Sequence, residues 1–235
     1  MGFYEDFAFC YDQIFPADEG TVKFLGATFN MGGKLIDLAC GTGGYSIALA
    51  QRGFTITGLD LSAEMIVQAK QKAKNLPGVH FKRQDMTNPE LTEPVQGWFC
   101  IGNSLVHLDN EEAIQNALQN WRKLLLPGGK WVVQILNYDR ILDQKVTSIP
   151  TLVGSDGTSL TREYRHVSAG KIIFKTQLNY GSKVYLNEVG LYPIRRAEML
   201  RLLDSAGLKV EGEYGDFDES PWSPDSFSFV LRGSI

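Results

Sequence analysis

The sequence predicts an α/β fold, a doubly wound and mostly parallel sheet of seven strands with a small antiparallel β-ribbon inserted late in the chain. Three observations carry that expectation. Between residues 34 and 137 short apolar runs alternate with helical stripes, the pattern of strand-to-helix crossovers. From 148 to 192 the texture changes to two-residue alternation broken at Ala169-Gly170 and Gly181-Ser182, which predicts a ribbon of three strands. A last helix at 195–206 and two β-rich runs, 208–214 and 226–232, then close the sheet. With 235 residues, 43% of them hydrophobic and 21% charged, the chain can bury one main core with an insert.

Residues 34–40 (KLIDLAC) are short, apolar and followed by glycines, as a strand buried on both faces requires. Residues 45–52 have helical character and stop at Gly53. A second β-rich run covers 54–60 (FTITGLD), and Ser62 stands where a helix N-cap belongs, ahead of Met65, Ile66, Ala69 and Ala73 on one face. Residues 79–85 (VHFKRQD) and 97–103 (GWFCIGN) read as two more strands with polar carboxyl ends. The clearest helix spans 109–126: Asp109 and Glu112 have capping-box spacing, an apolar stripe runs from Ala113 to Leu125, and Pro127-Gly128-Gly129 ends it. A strand at 130–137 follows. Right-handed crossovers make such a sheet parallel, and ligands bind at the carboxyl ends of its strands, here Cys40, Asp60, Asp85, Asn103 and Asn137.

The bulk properties exclude several functions. A net charge of −4 leaves no basic surface for a phosphate backbone or anionic lipid, so a small-molecule substrate is expected and a nucleic acid is not. Cys10, Cys40 and Cys100 are far apart and form no C-x-x-C pair, so neither a disulfide framework nor a metal site is indicated. The N-terminal residues mix acids with apolar side chains and lack the pattern of a secretory signal, and no run is long enough for a membrane span. A cytoplasmic protein is the expectation, its oligomeric state open.

The segment at 35–50, LIDLACGTGGYSIALA, is a strand-to-helix turn whose glycines let backbone N–H groups approach a ligand. A dinucleotide loop would need G-x-G-x-x-G, whereas Gly41, Gly43 and Gly44 are followed by Tyr45, Ser46 and Ile47. Asp37 lies inside the first strand, and Asp60 ends the second, nineteen residues after Gly41. The combination of D-x-A-C-G-T-G-G, the acid at Asp60 and the Asp85-Met86 pair resembles the Rossmann-like S-adenosylmethionine-dependent methyltransferases over residues 34–137. That resemblance implies S-adenosylmethionine as cofactor. Its methionine part would meet the loop at Asp37, Ala39, Cys40, Gly41, Thr42 and Gly43. Asp60, with Leu61 and Met65 beyond it, would take the ribose hydroxyls, and Asp85 and Met86 the adenine. From the residues alone other roles stay open: Asp37 as a solvated strand-end charge, Asp60 as a helix cap, Asp85 as a turn residue.

Two further stretches narrow the likeness. CIGNSLVHL at 100–108 and ILNYDRIL at 135–142 resemble glycine N-methyltransferase and related small-amine methyltransferases. In those enzymes the Asn of GNS helps hold the amino-acid substrate, a role that falls on Asn103 here, beside the cofactor. The arginine before Asn-Tyr-Asp that anchors the substrate carboxylate is replaced by Leu136. Arg140, Arg162 or Arg165 are candidates to substitute for it, and an amino sugar without a carboxylate is the other acceptor class. Asn137, Tyr138, Arg140 and Tyr192 join Asn103 and His107 as expected substrate contacts. His107 is the candidate base, and Tyr11, in YDQIF, resembles the tyrosine that such enzymes fold over the active site.

The expected organisation is a cofactor-binding core at 1–147 with an N-terminal helical cover, a ribbon at 148–194 over the active site, and a closing helix and strand pair at 195–235. The expected activity is methyl transfer to a nitrogen or oxygen of a small metabolite. A protein that binds the cofactor without turning it over, a sensor or scaffold, is the reading from another class. A nicotinamide dehydrogenase fails the glycine spacing.

Overall fold

The structure, a computed structural model, describes residues 5–168 and 170–235. After a kinked 3-10 segment, Glu5–Cys10, come α1 (Tyr11–Ile14) and α2 (Glu19–Thr28). The core then alternates β1 (Lys34–Leu38), α3 (Gly44–Ala50), β2 (Thr55–Asp60), α4 (Ala63–Lys72), β3 (Val79–Arg83) and β4 (Val95–Cys100). It continues through a 3-10 turn, Leu105–His107, to α5 (Glu111–Lys123), β5 (Leu125–Leu136) and α6 (Tyr138–Asp143). A separate sheet holds β6 (Ser148–Val153), β7 (Ser159–Ser168), β8 (Lys171–Tyr180) and β9 (Lys183–Leu191). The chain closes with α7 (Arg196–Ser205), β10 (Lys209–Tyr214) and β11 (Ser228–Ser234).

The main sheet has seven strands in the order β10-β11-β5-β4-β1-β2-β3. The predicted doubly wound sheet is therefore present. β1 lies between β2 and β4, parallel to both, and β11 inserts antiparallel between β5 and β10. Four consecutive residues of β1, Leu35 to Leu38, are buried, as expected for a central strand covered on both faces. Under α5 the indole of Trp98 stacks on Trp131 at 5.8 Å and meets Trp121 edge-on at 5.1 Å, all three fully buried. Such pairs contribute about 0.5–1.5 kcal/mol beyond the area they bury.

Three expectations need correction. The second sheet has four strands, because Gly154 to Gly157 form a further turn, with Gly157 in the left-handed region and the Gly154 N–H donating to the Thr158 carbonyl at 2.7 Å. Of the predicted turn at Ala169-Gly170, Ala169 lies outside the described residues. Helix α5 is capped by Asn110, whose Oδ1 accepts the Ala113 N–H at 2.9 Å, so Asp109 and Glu112 form no capping box. Pro127-Gly128-Gly129 does not stop that helix either. It lies inside β5, where Leu125 already pairs with Val95 and the register shifts before Lys130 pairs with Gly97. Gly128, at φ +73°, lets the strand absorb those extra residues.

The ribbon sheet is tied to the rest at two places. Leu160 and Leu178 form a buried cluster with Phe7, Cys10 and Ile14, on which Tyr11 packs. Tyr164, Ile172 and Leu191 join the main core, and Tyr192, just past β9, donates its backbone N–H to Val106 at 2.8 Å.

Candidate active site

The loop between β1 and α3 takes its shape from three left-handed residues, Ala39 at φ 63°, Gly41 at 54° and Gly43 at 76°. Gly43 is also required by space, since a Cβ there would stand 2.4 Å from the Phe81 ring. Ala39 has no such freedom and holds a conformation that costs on the order of 1 kcal/mol, local strain of the kind that clusters at ligand sites.

Two acids brace this loop from below, Asp37 buried and Asp60 half-buried. Asp60 Oδ2 accepts the Gly41 N–H at 2.8 Å and Oδ1 the Ser62 N–H at 2.9 Å. Burial pushes the Asp60 pKa up, opposed by those N–H donors. Asp37 is 3% exposed and accepts the Ser46 hydroxyl at 2.6 Å, which overturns its reading as a solvated strand-end charge. Burial, opposed by that hydroxyl and assisted by neighbouring Asp60, raises its pKa to about 7. The Cys40 thiol is likewise pushed up by burial and stays protonated.

From above, the N-terminal segment covers the loop. A Cβ at Gly41 would stand 3.5 Å from the Tyr11 ring, so Tyr11 lies against the glycine. The next residue, Asp12, accepts the Thr42 hydroxyl at 2.5 Å and pairs with Lys72 at 2.5 Å. Sequence reasoning singled out Tyr11 and Thr42 but missed Asp12, whose only signal is a carboxylate inside YDQIF. It also missed Ser46.

Along the same edge, Leu61 is 64% exposed just beyond Asp60. Met65, expected beside the cofactor, is buried at the start of α4, its N–H accepted by Ser62 Oγ at 3.3 Å. Asp85 is exposed and accepts the Thr87 N–H at 2.8 Å, the turn geometry left open for it. Met86 is half-buried, and its carbonyl accepts the Trp121 indole N–H at 2.6 Å.

After β4, Asn103 adopts φ 65° and is held at both ends of its side chain. Its Oδ1 accepts the Leu136 N–H at 3.0 Å, and its Nδ2 donates to Tyr138 Oη at 3.1 Å. Buried Gln134 supports this loop by accepting the N–H groups of Gly102 at 2.7 Å and Asn103 at 3.3 Å. A polar residue in the apolar run KWVVQIL was the signal for Gln134, and it was not used. Burial lowers the His107 pKa to about 4, which makes it a neutral imidazole and a weak base.

Two expected substrate contacts are corrected. Asn137 is 2% exposed and fully engaged: Oδ1 caps α6 at Arg140 N–H, and Nδ2 faces the carbonyls of Ser223, Pro224 and Ser226 at 3.0–3.3 Å. Tyr192 donates its hydroxyl to Glu198 of α7 at 2.5 Å, and its backbone N–H to Val106 at 2.8 Å, so it ties the ribbon to the core. Tyr138 is 1% exposed, with its hydroxyl at Asn103. Asp139 receives Arg195 at 3.0 Å and the Arg196 N–H at 2.8 Å. Arg140 is half-buried beyond Asn137.

These residues fit S-adenosylmethionine. Each Asp60 oxygen accepts one N–H and keeps lone-pair capacity for the paired hydroxyls of a ribose, and Leu61 offers an exposed apolar surface next to it. Asp37, buried beneath the loop, holds the first turn of α3 in place through the Ser46 hydroxyl. Among the described residues there is no cluster of His, Cys, Asp or Glu that could hold a metal, and no helix long and apolar enough to cross a membrane.

Comparison with known proteins agrees with this reading. A family profile described as a methyltransferase domain matches residues 35–129. The chain is 30% identical over 202 residues to a glycine/sarcosine N-methyltransferase of Halorhodospira halochloris, covering 84% of this chain and 73% of that one. It is 31% identical over 201 residues to the glycine/sarcosine N-methyltransferase of Aphanothece halophytica, covering 84% and 74%. In fold it is similar to the CcbJ methyltransferase from Streptomyces caelestis, with a TM-score of 0.84, 23% identity and coverage of 98% and 96%.

Proposed function

Since the chain belongs to the Rossmann-like S-adenosylmethionine-dependent methyltransferases and is an enzyme of that kind acting on a small metabolite, we propose that its acceptor atom is an amine nitrogen. The supporting observation is the extent of the likeness: the match to two enzymes named for glycine and sarcosine covers 84% of this chain, more than the cofactor half alone. The acidic net charge of −4 supports a small acceptor over a nucleic acid, and the free cysteines support the cytoplasm.

S-adenosylmethionine supplies a methyl group already activated on a sulfonium. The protein contributes position and exclusion of water, which account for most of what such an in-line displacement needs. Asp60 and the glycine loop hold the cofactor, Tyr11 and Asp12 cover it, and Asn103 with Tyr138 fix the wall after β4 and β5. His107 is not the proton acceptor in this proposal. An imidazole with a pKa of about 4 cannot take a proton from an ammonium, so the amine arrives already neutral. The division into a core at 1–147, a ribbon at 148–194 and a closing segment at 195–235 is part of the same proposal.

The test is transfer of labelled methyl from S-adenosylmethionine into a panel of amines, hydroxy acids and amino sugars. Incorporation into amines is expected. Transfer confined to hydroxyl acceptors would overturn the nitrogen assignment, and tight cofactor binding with transfer to nothing would overturn catalysis.

A further inference from the structure

Among the described residues the ribbon carries a half-buried cation, Arg162, that no carboxylate pairs with. In β7, residues two apart share a face, and Leu160 and Tyr164, 2% and 4% exposed, point inward. Arg162 stands between them on that face, whereas Glu163 and Arg165 are exposed on the other, which removes Arg165 as an inward-facing cation. The register places Arg162 opposite Thr176 of β8, and Thr176 opposite Asn187 of β9. Directly opposed residues share a face, so Arg162, buried Thr176 and Asn187 form one polar row across the inner side of the ribbon.

That row is poorly satisfied from within the protein. Arg162 donates from Nη2 to the Pro150 carbonyl at 2.7 Å, but its Nε is buried without a hydrogen-bond partner, and so is the Tyr164 hydroxyl. Among the described residues no carboxylate pairs with Arg162. Burial lowers its pKa without removing the charge. A desolvated guanidinium with no counter-ion is costly, and buried polar groups left unpaired call for a specific explanation.

Its location supplies one. On one side the neighbouring row, Leu160 and Leu178, packs under the N-terminal segment whose Tyr11 covers Gly41. On the other side Tyr164 belongs to the main core and donates its backbone N–H to Thr147 at 2.8 Å, and Tyr192, just past β9, donates its own to Val106 in the turn after β4 at 2.8 Å. The polar row thus lies on the ribbon between its seam with the cover of the glycine loop and its tie to the turn after β4, and Leu136 provides no charge at the end of β5.

Resting on the methyltransferase reading above, we propose that Arg162, with the Tyr164 hydroxyl and Thr176, binds the carboxylate of an amino-acid acceptor. The enzyme is then an N-methyltransferase of α-amino acids and does not act on amino sugars. One cation among uncharged neighbours suits a monoanion with two oxygens, which a guanidinium meets bidentately. A dianionic phosphate or phosphonate would leave charge unmatched.

The test uses the full chain saturated with S-adenosylhomocysteine and titrates acceptors by calorimetry, with methyl transfer measured in parallel. The panel holds the common amino acids and sarcosine, the amides glycinamide and sarcosinamide, aminomethylphosphonate and amino sugars. At least one amino acid should bind and be methylated, with its amide at least thirtyfold weaker. Arg162→Met should weaken that amino acid at least thirtyfold, leave the amide as it was, and keep the S-adenosylhomocysteine Kd within twofold. Arg162→Lys should recover part of the loss. If Arg162→Met fails to fold, Arg162→Lys and Tyr164→Phe decide: both must weaken the amino acid selectively. Equal binding of acid and amide, preference for the phosphonate, unchanged affinity in the variants, or methylation of amino sugars alone would each overturn the proposal while leaving methyl transfer standing. Cofactor binding with no methylated amine at all would instead defeat the underlying reading.

Discussion

Asp12 accepts the hydroxyl of Thr42 at 2.5 Å, thirty residues away, and so fastens the N-terminal segment to the glycine loop. Its other oxygen pairs with Lys72 at 2.5 Å. Asp12→Ala should therefore release the cover over Gly41 and speed dissociation of S-adenosylhomocysteine, at a cost of about 1–2 kcal/mol, whereas Lys72→Ala, which removes a partly exposed pair, should cost under about 1 kcal/mol. Stopped-flow displacement measures both, and equal dissociation rates in the Asp12 variant and the parent would show that the contact does not fasten anything.

Asp60→Ala removes the acceptor for the Gly41 and Ser62 N–H groups together with the carboxylate offered to the ribose. Loss of charge-assisted hydrogen bonds of this kind should weaken cofactor binding by about 2–4 kcal/mol. Calorimetry with S-adenosylhomocysteine reads it directly. A change below about 0.5 kcal/mol would remove Asp60 from the cofactor site.

Asp37 sets a pH dependence of stability. Burial keeps it protonated up to about pH 7 in the fold, against 3.8 for an ordinary aspartate. Between those values the folded state holds one more proton than the unfolded chain, so unfolding releases a proton and rising pH favours it. The contribution of this group to stability is full below about pH 4, declines as the pH rises toward about 7, and is level above that. Asp37→Asn, which mimics the protonated acid, should flatten that part of the urea-midpoint profile between pH 4.5 and about 7. A parallel slope in parent and variant would assign it to other groups.

His107→Asn should keep kcat within about tenfold of the parent, because a neutral imidazole with a pKa of about 4 contributes no proton transfer at neutral pH. The parent's kcat profile should carry no inflection from this residue between pH 5 and 8. A loss of more than about a hundredfold, restored at higher pH, would reinstate it as a base.

Asn137→Ala should lower stability by about 1–3 kcal/mol, since it uncaps α6 and leaves the carbonyls near Ser223 unpaired. The acceptor KM should not rise specifically. Denaturant titration beside steady-state kinetics separates the two effects.

The parallel core was legible because its signals are local: a buried apolar run, a glycine turn and an acid at the next strand end all lie between Leu35 and Asp60. The strand count of the ribbon was misread because the Gly154–Gly157 turn interrupts alternation without ending it. The roles of Asn137 and Tyr192 were hidden for another reason. Asn137 turns toward carbonyls that lie 86 or more residues later in the chain, and Tyr192 toward a glutamate on the following helix. Placement at a strand end follows from periodicity, but the direction a side chain takes there is decided by partners that no local pattern specifies. Arg162 and Arg165 look alike in sequence, and the alternation of burial along β7 shows which of them faces inward.

The apolar cluster of Phe7, Cys10, Ile14, Leu160 and Leu178 has a mechanical consequence. It joins the N-terminal segment over Gly41 to the sheet that carries Arg162, so neither can lift alone without wetting the shared seam, at roughly 25 cal/mol for each Å² exposed. Movement of the N-terminal cover and movement of the ribbon are thus coupled through one apolar seam.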